Sequence, residues 1–228
     1  MFKIEDVEKA RKIVRCIDIP NEFGADSCSE YDTTEMEEQI SEMVGGDFFI
    51  TNGISKLVIV VEDLPFVIKI PFNGRWDLDE DSEYDGDVFY EFNEACEYSK
   101  DDYCACELEK TRIINDEGFG YFVPKMMYLC TWCGRDVYIQ EKVKSMCDCH
   151  EKITTNADSL AKAKKVHAPF NSTWIALVFD TYGEEAFNDF MLWARECEPD
   201  IISDMHWGNY GLTLDGKPVM FDISGFRD

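Results

Sequence analysis

The stretch DFFITNGISKLVIVVEDLPFVIKIPF, residues 47–72, constrains the fold most strongly, because it holds three runs of β-branched and aromatic residues in close succession. The runs are separated by Asn52-Gly53 and by Asp63-Leu64-Pro65, which are turn-forming combinations. The pattern predicts three consecutive strands, so a β-sheet begins here.

Helical patterns lie on both sides of these strands. Residues 4–17 repeat apolar side chains at helical spacing, and residues 33–46 place Thr34 and Glu37 in the register of a capping box. Residues 102–118 predict a helix that is closed by Gly118. Further helices are predicted at about 157–167 and 183–197, the second with a shared apolar face of Phe187, Phe190, Met191 and Ala194.

Two further hairpins are predicted downstream. Residues 121–143 contain two strand-like runs joined at the Cys130 to Gly134 turn, and residues 212–221 turn at Asp215-Gly216. Residues 77–87 instead contain seven acids in eleven positions, and we expect a solvated loop or disordered insert there. Together these patterns predict an α+β fold.

The charge balance limits the classes of partner. The 228 residues include 47 acidic and 22 basic side chains, a formal net charge of −25, which repels phosphate backbones and anionic membranes. Direct nucleic-acid binding is therefore not expected, and a protein partner chosen by charge should be basic. Since no apolar run approaches the roughly 18 residues of a membrane span and the N-terminus does not resemble a signal peptide, we expect a soluble, cytoplasmic protein with reduced cysteines.

A cysteine-rich pattern raises the question of zinc. Cys130 and Cys133 form a Cys-x-x-Cys-Gly turn, and Cys147, Cys149 and His150 follow in CDCH. Such pairs can form a tetrahedral zinc site. The second half is irregular and cysteine is abundant throughout the chain, so incidental thiols are the favoured interpretation and zinc the alternative.

Polar residues around the last hairpin carry the strongest functional signal. Asp204 and Asn209 stand five positions apart in DMHWGN, and Asp222 follows the hairpin in VMFDISGF. Upstream, Lys69 stands in the third predicted strand, after the glycine-bearing turn TNGISK. This ordered set resembles the protein-kinase-like fold, in the compact branch of aminoglycoside and choline kinases and small bacterial or phage kinase-like proteins. The resemblance spans about residues 47–226.

The resemblance implies a role for each of these residues. Lys69 would hold the α- and β-phosphates of ATP, and Asp204 would accept or orient the proton of the acceptor hydroxyl. Asn209 and Asp222 would bind Mg²⁺. Lys69 also needs an acidic partner, for which Glu107 is preferred and Glu109 and Glu94 are the alternatives.

Further contacts to the nucleotide are implied by the same resemblance. Gly53, Ser55 and Lys56 would lie over the phosphates, although this turn lacks three spaced glycines. Backbone groups of Glu141 to Val143 would meet the adenine edge. Ile202-Ser203 replaces the His-Arg pair usual before the catalytic aspartate, and His206 is interpreted as a packed, hydrogen-bonded loop residue.

The predicted domains follow from this resemblance. Residues 1–46 would be an N-terminal helical extension, residues 47–143 a small antiparallel sheet lobe with the acidic insert at about 77–87, and residues 144–228 a short, C-terminally truncated helical lobe. ATP and Mg²⁺ would bind between the two lobes.

Two classes of function are compatible with the sequence. The preferred one is phosphoryl transfer from ATP to a hydroxyl of an unidentified protein or small molecule, with nucleotidyl transfer as a neighbouring reaction. The alternative is a catalytically inactive kinase-fold protein whose acidic surface binds a basic partner or mimics nucleic acid. Lys69, Asp204, Asn209 and Asp222 together favour the enzyme, whereas the net charge favours the binder.

Overall fold

The computed structural model describes residues 2–19, 33–52, 56–71, 74–78, 87–91, 102–147, 153–203 and 205–223. The chain divides into two compact units: unit 1 is Met1–Cys106 with Met126–Gln140, and unit 2 is Glu107–Lys125 with Glu141–Asp228. Each unit has its own apolar core. Helices and strands are both well represented, as the predicted α+β class requires.

Unit 1 contains a five-stranded sheet. The elements in chain order are α1 (Ile4–Cys16), α2 (Thr34–Met43), β1 (Phe48–Asn52), β2 (Lys56–Val61), β3 (Phe66–Pro71), β4 (Gly74–Leu78), β5 (Asp87–Glu91), β6 (Met126–Trp132) and β7 (Arg135–Glu141). The strand order is β1-β2-β3-β7-β6, and the pairs β1–β2, β2–β3 and β6–β7 are antiparallel. The three strands predicted over 47–72 and the hairpin of residues 121–143 are confirmed, but β6 continues to Trp132, so the turn is Cys133-Gly134 and not Cys130 to Gly134.

The two N-terminal helices share one core with this sheet. Val7, Ile13 and Val14 of α1 and Met36 and Ile40 of α2 are buried. They belong to the same apolar cluster as the inward-facing residues of the strands, which are Leu57, Ile59, Phe66, Ile68, Ile70, Val137 and Ile139. Helices α1 and α2, the described helices of the predicted extension, therefore bury their apolar stripes against the sheet.

The start of α2 differs from the predicted capping box by one residue. Thr33, not Thr34, is the N-cap, and its hydroxyl donates to Glu37 Oε1 at 2.8 Å instead of capping a main-chain N–H. Two adjacent threonines offer the same chemistry, so the sequence does not distinguish the two registers.

The acidic stretch at 77–87 is only partly described. Asp77 and Leu78 end β4 and Asp87 begins β5, so the prediction of a loop is wrong for these three residues. β4 and β5 pair antiparallel with Trp76 opposite Phe89, and strand-forming aromatic residues on both sides extend the pairing into the acidic stretch. Residues 79–86 lie outside the described residues.

Unit 2 combines helices with a small sheet. The helix α3 (Tyr103–Asp116) enters it from unit 1, and the later elements are β8 (Val143–Ser145), α4 (Ala157–Ala163), α5 (Ser172–Tyr182), α6 (Glu184–Cys197), α7 (Asp200–Ser203), β9 (Tyr210–Thr213) and β10 (Pro218–Met220). The sheet order is β10-β9-β8, and both pairs are antiparallel. The predicted helices α3 and α6, the apolar face of α6 and the hairpin turn at Asp215-Gly216 are confirmed.

Helix α5 is the element that sequence periodicity does not reveal. Trp174, Ile175, Ala176, Val178 and Phe179 are all buried, so apolar residues lie on more than one face and no amphipathic stripe is visible. Its ends carry better signals: the Asn171 side chain accepts from Trp174 N at 2.7 Å, and Gly183 follows with φ +96°. No helix within the described ranges is long and apolar enough to cross a bilayer.

The N-terminus of α3 is capped by Asp102. Its Oδ1 accepts from Cys104 N at 2.8 Å and from Ala105 N at 3.0 Å, and its Oδ2 accepts from Tyr138 Oη at 2.8 Å. Burial raises the pKa of Asp102 above its ordinary value in spite of these hydrogen bonds. Burial therefore disfavours the charged form of this cap.

We expect Asp102→Ala to lower the free energy of unfolding by about 2 kcal/mol, because both the cap and the acceptor for Tyr138 are lost. Asp102→Asn keeps an acceptor for the main-chain N–H groups and removes the buried charge, so it should be more stable than Asp102→Ala.

The pKa of Asp102 also predicts a dependence of stability on pH. Since the pKa is higher in the folded than in the unfolded state, the free energy of unfolding of the native chain rises as pH falls from the folded-state towards the unfolded-state pKa. The free energy of unfolding of Asp102→Asn, relative to that of the native chain, should therefore decrease on acidification. Urea unfolding of both proteins across pH measures this difference. A difference that stays constant with pH would contradict a raised pKa of Asp102.

Candidate functional site

The hairpin β9–β10 brings Asn209 and Asp222 to the same end of a small sheet. Asn209 directly precedes β9, and Asp222 follows β10 by two residues. The pairing continues past β10, since Phe221 N donates to Asn209 O at 2.9 Å. Asp222 is therefore one residue from the position directly opposite Asn209. These are the two residues predicted to bind Mg²⁺.

The loop before Asn209 is held by several hydrogen bonds. Asn209 N donates to His206 O at 2.8 Å, and Gly208 N donates to His206 Nδ1 at 3.1 Å. The buried Ser145 hydroxyl lies 3.2 Å from both Trp207 O and Gly208 O. The predicted role of His206 as a hydrogen-bonded loop residue is confirmed, but the residue is exposed and not packed. Asn209 itself is 7% exposed.

Glu107 joins this site from a distant part of the chain. Its side chain is fully buried, and its Oε1 accepts a hydrogen bond from Asp222 N at 2.8 Å across a sequence separation of 115 residues. Of the alternatives, Glu109 is exposed and lies 3.5 Å from Arg112, whereas Glu94 lies outside the described residues. Between the two acids that the structure describes, Glu107 and Glu109, only Glu107 is recorded in contact with Asp222.

The sequence of α3 contains the signal for this choice. Glu107 stands on a helical stripe whose other members, Cys104, Leu108, Thr111 and Ile114, are all buried. A carboxylate at such a position needs polar partners, because burying it alone would be strongly unfavourable. An acid in an apolar stripe is thus the pattern that marks Glu107.

The backbone of Asp222 is in an uncommon conformation. Its φ is +58°, and the only other non-glycine residue with positive φ among the described residues is Cys133. The left-handed region is sterically unfavourable for residues with a Cβ, and such residues concentrate at functional sites. The hydrogen bond from Asp222 N to the buried Glu107 supports this conformation.

Two lysines that were predicted to contact the nucleotide lie in unit 1. Lys69 on β3 is 3% exposed, and it alternates with Ile68 and Ile70, whose side chains lie in the core. Lys69 therefore lies on the opposite face of the sheet. Lys56, at the start of β2, is 5% exposed and pairs in register with Pro71. Both ammonium groups are held out of bulk water.

The predicted adenine-reading segment lies at the start of an edge strand. Met146 N donates to Tyr210 O at 2.9 Å, and hydrogen-bonded and non-hydrogen-bonded pairs alternate along the β8–β9 ladder. Val143 and Thr213 are consequently a non-hydrogen-bonded pair, and Thr213 N donates to Lys217 O instead. The N–H and C=O of Val143 thus point away from β9. Glu141 N, in contrast, donates to Lys125 O at 2.8 Å.

Several other predicted positions cannot be located, because they lie outside the described residues. Asp204, Gly53 and Ser55 lie outside the described residues, as do Cys149 and His150 of the cysteine-rich pattern. Cys133 is exposed in the β6–β7 turn, and Cys147 Sγ lies 3.0 Å from Ser145 Oγ. The described part of the chain contains no group of three or more His, Cys, Asp and Glu side chains placed to hold a metal ion.

Comparison with known proteins adds no relative. No protein-family model matches the chain, and no curated protein is similar to it at a significant level.

The φ angle of Asp222 can be tested by paired substitutions. We expect Asp222→Gly to exceed Asp222→Ala in free energy of unfolding by about 1 kcal/mol, because only glycine adopts this φ without steric cost. At Asp189, an exposed position in the interior of α6, the order should reverse, with alanine above glycine by a similar amount. Urea unfolding of the four variants measures both differences, and alanine above glycine at position 222 would contradict the left-handed conformation.

Proposed function

We propose that the chain is an ATP- and Mg²⁺-dependent phosphotransferase that acts on a hydroxyl group. One observation carries this proposal: the buried Glu107 carboxylate holds Asp222 in a left-handed conformation directly beside Asn209. A chain that needed only a turn after β10 would be served by glycine at this position. Retaining aspartate there favours a role for its carboxylate.

The donor groups fit the proposed metal. Mg²⁺ prefers oxygen ligands, and it commonly takes one or two protein carboxylates or amides while keeping water and phosphate oxygens in its remaining positions. Asn209 and Asp222 supply one amide oxygen and one carboxylate from neighbouring backbone positions. Bound there with ATP, Mg²⁺ would neutralise charge on the phosphates during transfer. Ser145 and His206 would hold the Asn209 loop in place.

The nucleotide would be bound by a lysine side chain and by main-chain groups. The Lys69 ammonium suits the α- and β-phosphates, because it is a compact charge without a fixed bonding geometry. Its burial would strengthen that interaction relative to an exposed lysine. The N–H and C=O of Val143, directed away from β9, provide a donor and an acceptor side by side, as the edge of adenine requires.

The acceptor step is assigned to Asp204. Its carboxylate would take the proton of the acceptor hydroxyl while the acceptor oxygen bonds to the γ-phosphorus and the bond to the β,γ-bridging oxygen breaks, so that ADP leaves. Nucleotidyl transfer by the same residues would release pyrophosphate instead of ADP. The identity of the released product therefore separates the two reactions.

Binding of Mg²⁺ and ATP is tested by calorimetry and thermal unfolding. At ATP about 100-fold above its Kd with Mg²⁺ present, we expect the free energy of unfolding to rise by about 2.7 kcal/mol. Asp222→Asn should weaken binding more with Mg²⁺ than with EDTA, because the lost charge faces the cation. Equal losses under both conditions would remove Asp222 from the metal site, and no stabilisation of the native chain would favour the inactive acidic binder.

Catalysis is tested by the rate of ADP release from ATP and Mg²⁺ without added acceptor. Asp204→Ala should keep the ATP-dependent stabilisation while slowing release on the order of 10²-fold or more. Lys69→Ala should abolish release, whereas Lys12→Ala, an exposed change of the same charge in unit 1, should not alter it. Turnover at the native rate in Asp204→Ala would rule out the assigned base.

A further inference from the structure

The two edge strands of the five-stranded sheet, β6 and β1, differ in the contacts that they make. β6 lies at one end, where Arg11 Nε of α1 donates to Leu129 O at 3.4 Å and Trp132 Nε1 donates to Ile17 O at 2.8 Å. β1 lies at the other end, and no strand of the described residues pairs with its outer side. An uncovered edge is a template for pairing with another chain.

The main-chain groups that face outward from β1 can be identified from the ladder. Glu62 N donates to Asp47 O at 2.9 Å, which makes Asp47 and Glu62 a hydrogen-bonded pair. Alternation along the ladder then directs the N–H groups of Phe49 and Thr51 to β2, and those of Phe48 and Ile50 outward. The outer edge therefore offers the N–H and C=O groups of Phe48 and Ile50, which have the spacing that a partner strand requires.

An acidic groove runs beside this edge. It is lined by Glu37, Glu38 and Glu42 of α2 together with Thr34, Ser41 and Phe48. The three glutamates are exposed, and no basic side chain contributes to the lining. Phe48 lines the groove and, like Ile50, packs against the core, so a strand added to β1 would direct every second side chain to the face that carries the groove.

The opposite face of the edge carries one large exposed apolar side chain, between the exposed Asp47 and Thr51. Phe49 is 58% exposed, and Thr51 beside it is also exposed. The remaining side chains of an added strand would lie on the same face as Phe49. The surface thus fits a segment in which basic and apolar residues alternate.

We propose that the outer edge of β1 and the adjoining groove of α2 bind an extended basic segment of a partner protein, which adds to the sheet as a further strand. Lysine or arginine side chains of the segment face Glu37, Glu38 and Glu42, and its apolar side chains cover Phe49. Charge argues against a second copy of this chain, because pairing two β1 edges would bring two acidic α2 helices together in a molecule of net charge −25. The proposal does not depend on phosphoryl transfer.

Amide hydrogen exchange of the full chain, resolved by NMR, tests the strand addition. The probe is a short peptide of alternating lysine and valine, and a peptide of alternating glutamate and valine is the control. On binding of the lysine peptide we expect exchange at Phe48 and Ile50 to slow about tenfold or more, while Phe49 and Thr51, already bonded to β2, stay within about twofold. Binding without protection of Phe48 and Ile50, or equal binding of the glutamate peptide, would overturn the proposal.

Charge reversal tests the groove. The double variant Glu38→Lys, Glu42→Lys should raise the Kd of the lysine peptide about tenfold, and it should flatten the dependence of binding on salt. The matched control Glu185→Lys, Glu196→Lys on α6 makes the same change in net charge at exposed positions and should leave Kd within about twofold. Equal weakening in both variants would show a non-specific effect of net charge and overturn the groove.

Sedimentation of the native chain tests whether a second copy of the chain, instead of a basic partner, occupies the outer edge of β1. We expect a monomer that stays monomeric at low and high salt. A dimer in which Phe48 and Ile50 are protected without peptide would show that a second copy occupies the edge, and would overturn the assignment to a basic partner.

Discussion

The hydrogen bond from Asp222 N to the buried Glu107 carboxylate is the interaction on which the candidate site depends. It closes a loop of 115 residues, and the core of unit 2, which includes Ile114 of α3 and Tyr210 and Met220 of the β9–β10 hairpin, helps to offset the entropy cost of that closure. In return it gives a buried carboxylate a donor and holds a strained residue in place. Structural stability and site geometry therefore rest on the same contact.

The acidity of the chain opposes the binding of anionic ligands. A net charge of −25 opposes the approach of ATP at long range, so binding has to be gained from cations close to the phosphates. The lysines suited to this task, Lys56 and Lys69, are both buried on strands of unit 1, where salt screens them less than surface lysines. The same acidity assists the association of a basic segment with α2. The same negative charge thus disfavours binding of anionic ligands and favours binding of basic ones.

Local patterns were sufficient for much of the fold but not for all of it. The strands β1–β3 and the turns at Gly134 and Gly216 follow from short runs and turn residues, which act within a few positions. Helix α5 was missed because its burial on several faces removes the periodic signal. The packing of α1 and α2 on the sheet and the bond between Glu107 and Asp222 are long-range, and an ordered list of motifs carries no information on such contacts. The assignment of Asn209 and Asp222 to a metal remains a prediction, made from the resemblance and from the suitability of oxygen donors for a hard cation.

The position of β7 in the chain has a consequence for synthesis. β3 lies between β2 and β7, yet β7 ends roughly 70 residues after β3, and part of the intervening chain belongs to unit 2. At about 5–20 residues per second, a nascent chain carries β3 as an open edge for several seconds. Phe66, Ile68 and Ile70, fully buried in the folded chain, are without part of their core during that time. The period of greatest exposure to aggregation on the ribosome is therefore set by where β7 occurs in the sequence, whatever the final stability of the protein.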